Sequence, residues 1–215
     1  MKTASLQDCS DMENKTLKEF TELTSSKDPV PGGGGVSALV GSLAAALGEM
    51  VVNLTIGKKK FLEYTFELTD IRKELDILRS NLLDCINRDA EAFEPVAEAY
   101  SLPKDTPGYA EKMEQCLRTA ADSPLLILKY AVRIIDLDER LAVIGSKIAV
   151  SDAATSVMLA HGVLYGAYVN ILVNTRLMKD REYAEKLNDE AIRLVDEYSV
   201  KALNVYDDIC KRLTD

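Results

Sequence analysis

Two long segments without charged residues restrict the folds that this chain can adopt. One covers residues 29–48 and the other covers residues 153–175. Both are long enough to cross a membrane as a helix. However, the first contains two prolines and six glycines, and the second contains serine, threonine and asparagine side chains that need polar partners. We therefore predict that both segments are buried helices of a soluble bundle with no membrane contact.

A helix that is apolar on nearly every side needs neighbours on several sides. A chain of 215 residues offers few such neighbours for two helices of this kind. The sequence therefore predicts that copies of the chain associate, as a homodimer or as a larger assembly. The net charge of -9 makes nucleic acid and anionic membranes poor partners, because like charges repel.

The cysteines give no sign of a metal site or of a redox pair. They are Cys9, Cys85, Cys116 and Cys210, with no C-x-x-C spacing, and the chain has a single histidine, His161. Zinc sites need a denser set of ligands at shorter spacing. Scattered reduced thiols are typical of cytoplasmic proteins, so we predict a cytoplasmic location and no bound metal.

The remaining sequence favours helices throughout. Apolar residues recur every three or four positions over residues 58–100 and 181–213, and no segment shows the alternation of a strand. Ser10, Ser123 and Ser151 are each placed to cap the start of a helix, and Pro124 would occupy the first helical position. The pattern predicts an all-α bundle of about seven helices in a single domain, residues 1–215.

A run of glycines before the first uncharged helix is the most unusual local feature. The segment reads Asp-Pro-Val-Pro-Gly-Gly-Gly-Gly-Val-Ser over residues 28–37. It matches neither a phosphate-binding Gly-Lys-Ser/Thr loop nor a dinucleotide fingerprint. Glycines that open a helix expose backbone N–H groups to a ligand, so a binding loop is favoured over a flexible linker. The candidate ligand-binding residues here are Pro31, Gly32, Gly33, Gly34, Gly35 and Ser37.

Several segments together resemble one enzyme family. The Pro-Val-Pro-Gly-Gly-Gly stretch leads into an Ala-rich helix, continued by Met50-Val51 and Leu54-Thr55. The other matching segments are 89–93, 99–104, 151–153, Gly166-Ala167, Asn170 and Asn174. In this order they resemble the cyclodeaminase/cyclohydrolase family of folate enzymes, the C-terminal domain of formiminotransferase-cyclodeaminases, which also occurs as a single-domain bacterial protein. Many relatives have serine where this chain has Gly35, so any hydroxyl role there is lost or passes to Ser37.

The resemblance implies an all-helical, dimer-forming enzyme whose substrate is a one-carbon derivative of tetrahydrofolate, with no permanently bound cofactor. Two reactions occur in the family, at the carbon that bridges N5 and N10. In the cyclodeaminase reaction, N10 attacks the formimino carbon and ammonia leaves. In the cyclohydrolase reaction, water attacks the methenyl carbon and opens the ring. The residues do not distinguish the two reactions, because both pass through a tetrahedral carbon and both require proton transfers.

Three charged residues are candidates for this chemistry. A carboxylate beside a delocalised cation stabilises it and can exchange protons with it. Asp89 lies among apolar residues, although it could also be a solvated acid on a helix face. Asp152 opens the second uncharged helix, although it could also be an ordinary acid at a helix start. Lys104, in a turn, could bind the folate tail or donate a proton, or be an ordinary surface lysine.

Two amides are candidates for substrate binding. Asn170 and Asn174 lie four residues apart, on one face of an otherwise apolar helix. Buried amides need partners, which could be the pteridine edge or a neighbouring helix.

Two non-enzymatic alternatives also remain: a folate-binding subunit that passes substrate to a partner, and a helical assembly module without a ligand.

Overall fold

The computed structural model describes residues 11–215, and these contain six α-helices and no strand. The helices are α1 (Leu17–Thr24), α2 (Gly33–Asn53), α3 (Thr65–Ser101), α4 (Tyr109–Ile144), α5 (Val150–Thr175) and α6 (Arg181–Thr214). Short 3-10 helices precede α3 and α5, at Lys59–Tyr64 and Lys147–Ala149. The all-α prediction is confirmed, but the helices number six rather than seven.

The difference in number arises at the predicted break before Pro124. Instead, α4 continues through this proline, which lies buried inside the helix. Leu117, Ala121, Leu128 and their apolar neighbours bury the same stripe of α4 on both sides of the proline. Tertiary packing therefore keeps the helix continuous where the local sequence favours a break.

The predicted helix caps also need correction. The first described helix is capped by Thr16, whose side chain forms a capping box with Glu19. Ser151 lies within the first turn of α5, because this helix already begins at Val150. Ser10 and Cys9 lie outside the described residues.

Helices α2 to α5 each run antiparallel to the helix that follows them in the chain, and α2 and α3 approach closely where glycines remove the side chain. A Cβ atom at Gly41 would lie 3.1 Å from the Leu82 side chain, and one at Gly48 would lie 3.0 Å from Leu75. Positions along α2 and α3 thus pair in opposite order. The same reversal relates α5 to both α2 and α4. As a result, the start of α2, the end of α3, the start of α4 and the end of α5 meet at one end of the bundle.

A buried carboxyl group joins three helices nearer the opposite end. Asp138 of α4 is completely buried, and Ser156 of α5 lies 2.6 Å from its Oδ2 and 2.7 Å from the carbonyl oxygen of Ala44 in α2. A hydroxyl has one proton and cannot donate to both oxygens. Both contacts of the Ser156 hydroxyl are hydrogen bonds when Asp138 is protonated and donates to Ser156, which donates to Ala44. Burial raises the pKa of Asp138 well above its ordinary value, in agreement with a neutral group.

The two uncharged helices, α2 and α5, are only partly covered. In the most apolar 18-residue stretch of α2, about 56% is buried. In the corresponding stretch of Lys147–Thr175, which contains α5, about 39% is buried. By length and composition alone both segments could span a membrane. Leu43 and Met50 of α2 are exposed, as are Tyr165, Val169 and Val173 of α5. The prediction of buried helices is therefore confirmed on one side of each helix, while the other side is an open apolar face.

Candidate active site

A cleft of about 270 Å³ opens at the end of the bundle where α2 begins. Its polar part consists of the Gly32–Gly34 backbone, the Asp89 carboxyl group and the two amides Asn170 and Asn174. Its walls are mostly apolar, and the larger side chains are Phe93, Tyr100, Leu117, Pro124, Val173 and Leu177. An apolar cleft with a few convergent polar groups is the usual form of a small-molecule site.

The glycine run forms the first turn of α2. Gly32 is the N-cap residue and has no side chain to cap the helix, and its carbonyl oxygen accepts the first helical hydrogen bond, from Val36 N–H, at 3.0 Å. The first N–H groups of a helix have no acceptor within it and make this end electropositive. The N–H of Gly35 donates to Asp89 Oδ2 at 3.0 Å. The glycine run thus binds a side chain of α3 and leaves Gly33 and Gly34 facing the cleft.

Asp89 fits against α2 only because residue 34 has no side chain. A Cβ atom at Gly34 would lie 2.2–2.4 Å from the three carboxyl atoms of Asp89, far inside contact distance. Burial raises the pKa of Asp89, and the hydrogen bond from Gly35 N–H lowers it by a smaller amount. The result is a carboxyl group with a perturbed pKa in a cleft, which is typical of groups that exchange protons with a substrate.

The two amides project from α5 on the opposite side of the cleft. Asn170 Nδ2 donates to the carbonyl oxygen of Gly166 at 2.8 Å. Asn174 Nδ2 donates to the carbonyl oxygens of Ala120 and Asn170, at 3.2 Å and 3.0 Å. A Cβ atom at Gly33 would lie 3.1 Å from Asn170 Nδ2, so this amide packs against the start of α2. Both amides therefore bond main-chain groups and line the cleft at once.

Five predicted site residues do not line the cleft. Ser37 is buried, and its hydroxyl donates to the Gly33 carbonyl oxygen at 2.7 Å. It also packs so tightly against Gly166 that a Cβ there would lie 2.5 Å from the hydroxyl oxygen. Pro31 is buried behind the glycines, and Gly35 acts through its N–H, beneath the cleft surface. Lys104 is exposed in the loop between α3 and α4, at this end of the bundle but outside the cleft lining. The fifth is Asp152.

Asp152 lies at the other end of α5. It precedes Asn170 by 18 residues, which corresponds to about 27 Å along the helix axis. The structure therefore brings together Asp89, the Gly32–Gly34 backbone and the two amides, and it separates Asp152 from them within one chain.

The apolar walls of the cleft cannot be recognised from the sequence. Leu117 lies in α4, Val173 in α5 and Leu177 just beyond the end of α5, and they belong to no local motif, so no single segment indicates them. In the sequence Pro124 indicates a helix start, whereas in the structure it lies inside α4, and a proline inside a helix is itself a signal of a special environment. Among residues 11–215, no three His, Cys, Asp or Glu side chains come together as a metal site would require.

Comparison with known proteins gives consistent matches. The family model for formiminotransferase-cyclodeaminase matches residues 16–193. A methenyltetrahydrofolate cyclohydrolase of Methylorubrum extorquens is 37% identical over 200 residues, which cover 91% of this chain and 96% of that protein. The crystal structure of a formiminotetrahydrofolate cyclodeaminase from Thermotoga maritima superposes with a TM-score of 0.79 at 30% identity, covering 93% of this chain and 96% of the other.

Longer proteins match as well. The formimidoyltransferase-cyclodeaminase of Gallus gallus is 29% identical over 190 residues, which cover 85% of this chain. The chain spans about a third of the length of that relative, with 35% covered.

Proposed function

The chain belongs to the formiminotransferase-cyclodeaminase family, and on that premise we propose that it is an enzyme of folate one-carbon metabolism. It acts on the carbon that bridges N5 and N10 of a tetrahydrofolate derivative. The observation that carries the proposal is the position of Asp89, a carboxyl group held by the Gly35 N–H in a mostly apolar cleft. Family membership supports the substrate class, and this geometry supports Asp89 as the group that does the chemistry.

The geometry suits the charge that develops on the substrate. The methenyl and formimino groups are both amidinium-like cations, and a nearby carboxylate stabilises such a cation. The same carboxylate accepts a proton as water or an amine attacks the bridging carbon. In the ionised state Asp89 is stabilised by the Gly35 N–H and by the electropositive start of α2. When it takes up a proton, burial in the cleft stabilises the neutral acid.

Two reactions are candidates, and we favour hydrolysis of the methenyl group. The support is the 37% identity, over nearly the full length of both chains, to a methenyltetrahydrofolate cyclohydrolase. Deamination of the formimino group is the second candidate, because the matching Thermotoga maritima structure is of a cyclodeaminase that is 30% identical. Either reaction uses Asp89 in the same role.

The cleft takes the ring system of the substrate rather than the whole molecule. Its volume of about 270 Å³ lies just below the usual range of roughly 300–1,000 Å³ for small-molecule pockets. The flat ring packs against apolar walls such as Phe93 and Leu117, and the amides of α5 bind its polar edge. The anionic tail extends out of the cleft, at the end of the bundle where the Lys104 loop lies.

We also propose that the enzyme is a homodimer that associates through the open apolar faces of α2 and α5. On α2, Leu43 and Met50 are each 48% exposed, and on α5, Tyr165 is 46% and Val169 is 55% exposed. Leaving an apolar face of this kind in water is costly for a solitary chain. Because Asp152 is remote from the cleft of its own chain, a catalytic role for it requires a second copy. A cytoplasmic location and the absence of a permanently bound cofactor remain predictions.

The test is a pair of absorbance assays that follow 5,10-methenyltetrahydrofolate. One measures its loss above the spontaneous rate, and the other measures its formation from 5-formiminotetrahydrofolate. Loss alone identifies a cyclohydrolase, and formation identifies a cyclodeaminase. If neither rate changes at high enzyme concentration, the chain is a folate-binding subunit or an assembly module instead.

The role of Asp89 is tested separately with Asp89→Asn, which keeps the shape of the side chain but cannot accept a proton. We expect turnover to fall by about 10²–10⁴-fold while folate binding changes little. An unchanged rate would remove Asp89 from the mechanism.

A further inference from the structure

We infer that Asn174 joins α4 to α5 at Pro124 and thereby presents its amide oxygen to the cleft as a fixed hydrogen-bond acceptor. Asn174 is then a positioning residue for the cleft wall and a determinant of ligand specificity. The identity of the ligand rests on the proposed function, whereas the joint between the helices does not.

The joint begins with a missing donor in α4. Pro124 has no N–H, so the carbonyl oxygen four residues earlier, that of Ala120, loses its helical hydrogen bond. Asn174 Nδ2 donates to this carbonyl oxygen at 3.2 Å, from the neighbouring helix. The side chain of α5 thus replaces the donor that the proline removed from α4.

A second hydrogen bond fixes the orientation of the amide. The carbonyl oxygen of Asn170 lies 3.0 Å from the same nitrogen of Asn174. Both neighbours, Ala120 and Asn170, offer only carbonyl oxygens, so the group that faces them must be the donating NH₂ and not the amide oxygen. Rotating the amide by half a turn would place oxygen against two oxygens.

The consequence is an amide with only its acceptor available. An NH₂ group has two protons, and the two carbonyl oxygens use both. The amide oxygen, Oδ1, accepts no hydrogen bond from any group that the structure describes. Asn174 lines the cleft together with Ala120 and Pro124, so its oxygen is the atom that remains for a ligand.

An acceptor whose orientation is fixed selects a ligand edge that donates. In a folate, the pteridine ring offers such an edge through its ring N–H and its amino group. A ring with an acceptor at that position would leave two oxygens facing each other, and it should bind more weakly. Since the amide is already held by two bonds, little side-chain freedom is lost when the ligand binds.

The experiment is a double-mutant cycle of Asn174→Ala and Pro124→Ala, read by thermal unfolding and by folate affinity. Alanine at position 124 restores a helical N–H for the Ala120 carbonyl oxygen. We expect Asn174→Ala to lower Tm by several degrees in the wild-type chain and by much less in the Pro124→Ala chain. If Asn174→Ala lowered Tm equally in the wild-type and Pro124→Ala chains, the proposal that Asn174 joins α4 to α5 at Pro124 would be overturned.

Folate affinity tests the role of Asn174 as a ligand acceptor separately from its role in joining α4 to α5. In the Pro124→Ala background, where the joint is dispensable, loss of the acceptor should still raise Kd and KM about five- to tenfold with little change in kcat. Unchanged affinity in this background would overturn the acceptor role. Asn174→Asp provides a second variant, because it keeps an acceptor but faces both carbonyl oxygens with oxygen, so it should lower Tm. If the wild-type chain bound no folate, the proposed function would fail while the Tm cycle would still decide on the joint.

Discussion

Replacing Gly34 by alanine should slow the enzyme strongly by displacing Asp89, without any chemical change to the carboxyl group itself. The added Cβ would lie 2.2 Å from one carboxyl oxygen and 2.4 Å from the other two carboxyl atoms. Ordinary van der Waals contact begins near 3.4 Å, so the carboxyl group must retreat by about 1 Å. That displacement also stretches its 3.0 Å hydrogen bond from Gly35 N–H.

A shift of this size is large for catalysis. Misplacement of a reacting group by about 1 Å can cost roughly 10²-fold in rate. We therefore expect Gly34→Ala to lower kcat by about two orders of magnitude. Stability should change little, because alanine favours the helix by up to about 1 kcal/mol and offsets part of the strain. The assay is turnover of methenyltetrahydrofolate, with Tm measured on the same samples.

Gly35→Ala is the matched control one residue along. Its Cβ would lie 3.4 Å from the Pro31 side chain and 3.7 Å from Ile86, which are ordinary contacts, and its N–H is kept. We expect it to lose far less activity than Gly34→Ala. Asp89→Ala supplies a second control, since the smaller side chain makes room, and Gly34→Ala should cost nothing further in that background. Similar losses in Gly34→Ala and Gly35→Ala would refute the steric reasoning.

Three further predictions follow from other groups. Because burial raises the pKa of Asp138, its stabilising contribution is complete below about pH 3.9 and declines as the pH rises towards the folded-state pKa. The Asp138→Asn variant should therefore gain stability relative to wild type as the pH rises through that window, by up to about 1.4 kcal/mol per pH unit. Urea unfolding measures the free energy of unfolding of both chains. A difference between them that does not change with pH would show that Asp138 is ionised. Because burial also raises the pKa of Asp89 in the ligand-free chain, kcat/KM should fall on the acid side at a pH above the ordinary carboxyl range near 3.9. This limb should be absent from the residual activity of Asp89→Asn. Val169→Glu, on the open face of α5, should convert a dimer to monomers by light scattering, whereas an unchanged mass would place the interface elsewhere.

Helix-forming periodicity was sufficient to predict the fold class, but not every helix boundary. Stripes of apolar residues at helical spacing over 58–100 and 181–213 correspond to α3 and α6. The predicted break at Pro124 was wrong, because the local preference of a proline was overridden by apolar packing on both sides and by the donor that Asn174 supplies.

The candidate site, like the fold, could be predicted from the sequence only in part. Family resemblance and residue type were enough to select Asp89, the glycine run, Asn170 and Asn174, which the structure gathers around one cleft. Neither resemblance nor residue type could separate Asp89 from Asp152, because both are acids within recognisable segments. Their distance depends on which ends of the helices meet, and the antiparallel arrangement places about 27 Å of α5 between Asp152 and the cleft.

The sequence by itself determined the helical class, the family and the residue types that the chemistry needs, because periodicity and motifs are local properties. Only the tertiary structure decided what each group does, because function depends on distances between residues far apart in the chain. Gly34 illustrates the division. Its identity is plain in the sequence, but its purpose is the space it leaves for a carboxyl group 55 positions away, at Asp89.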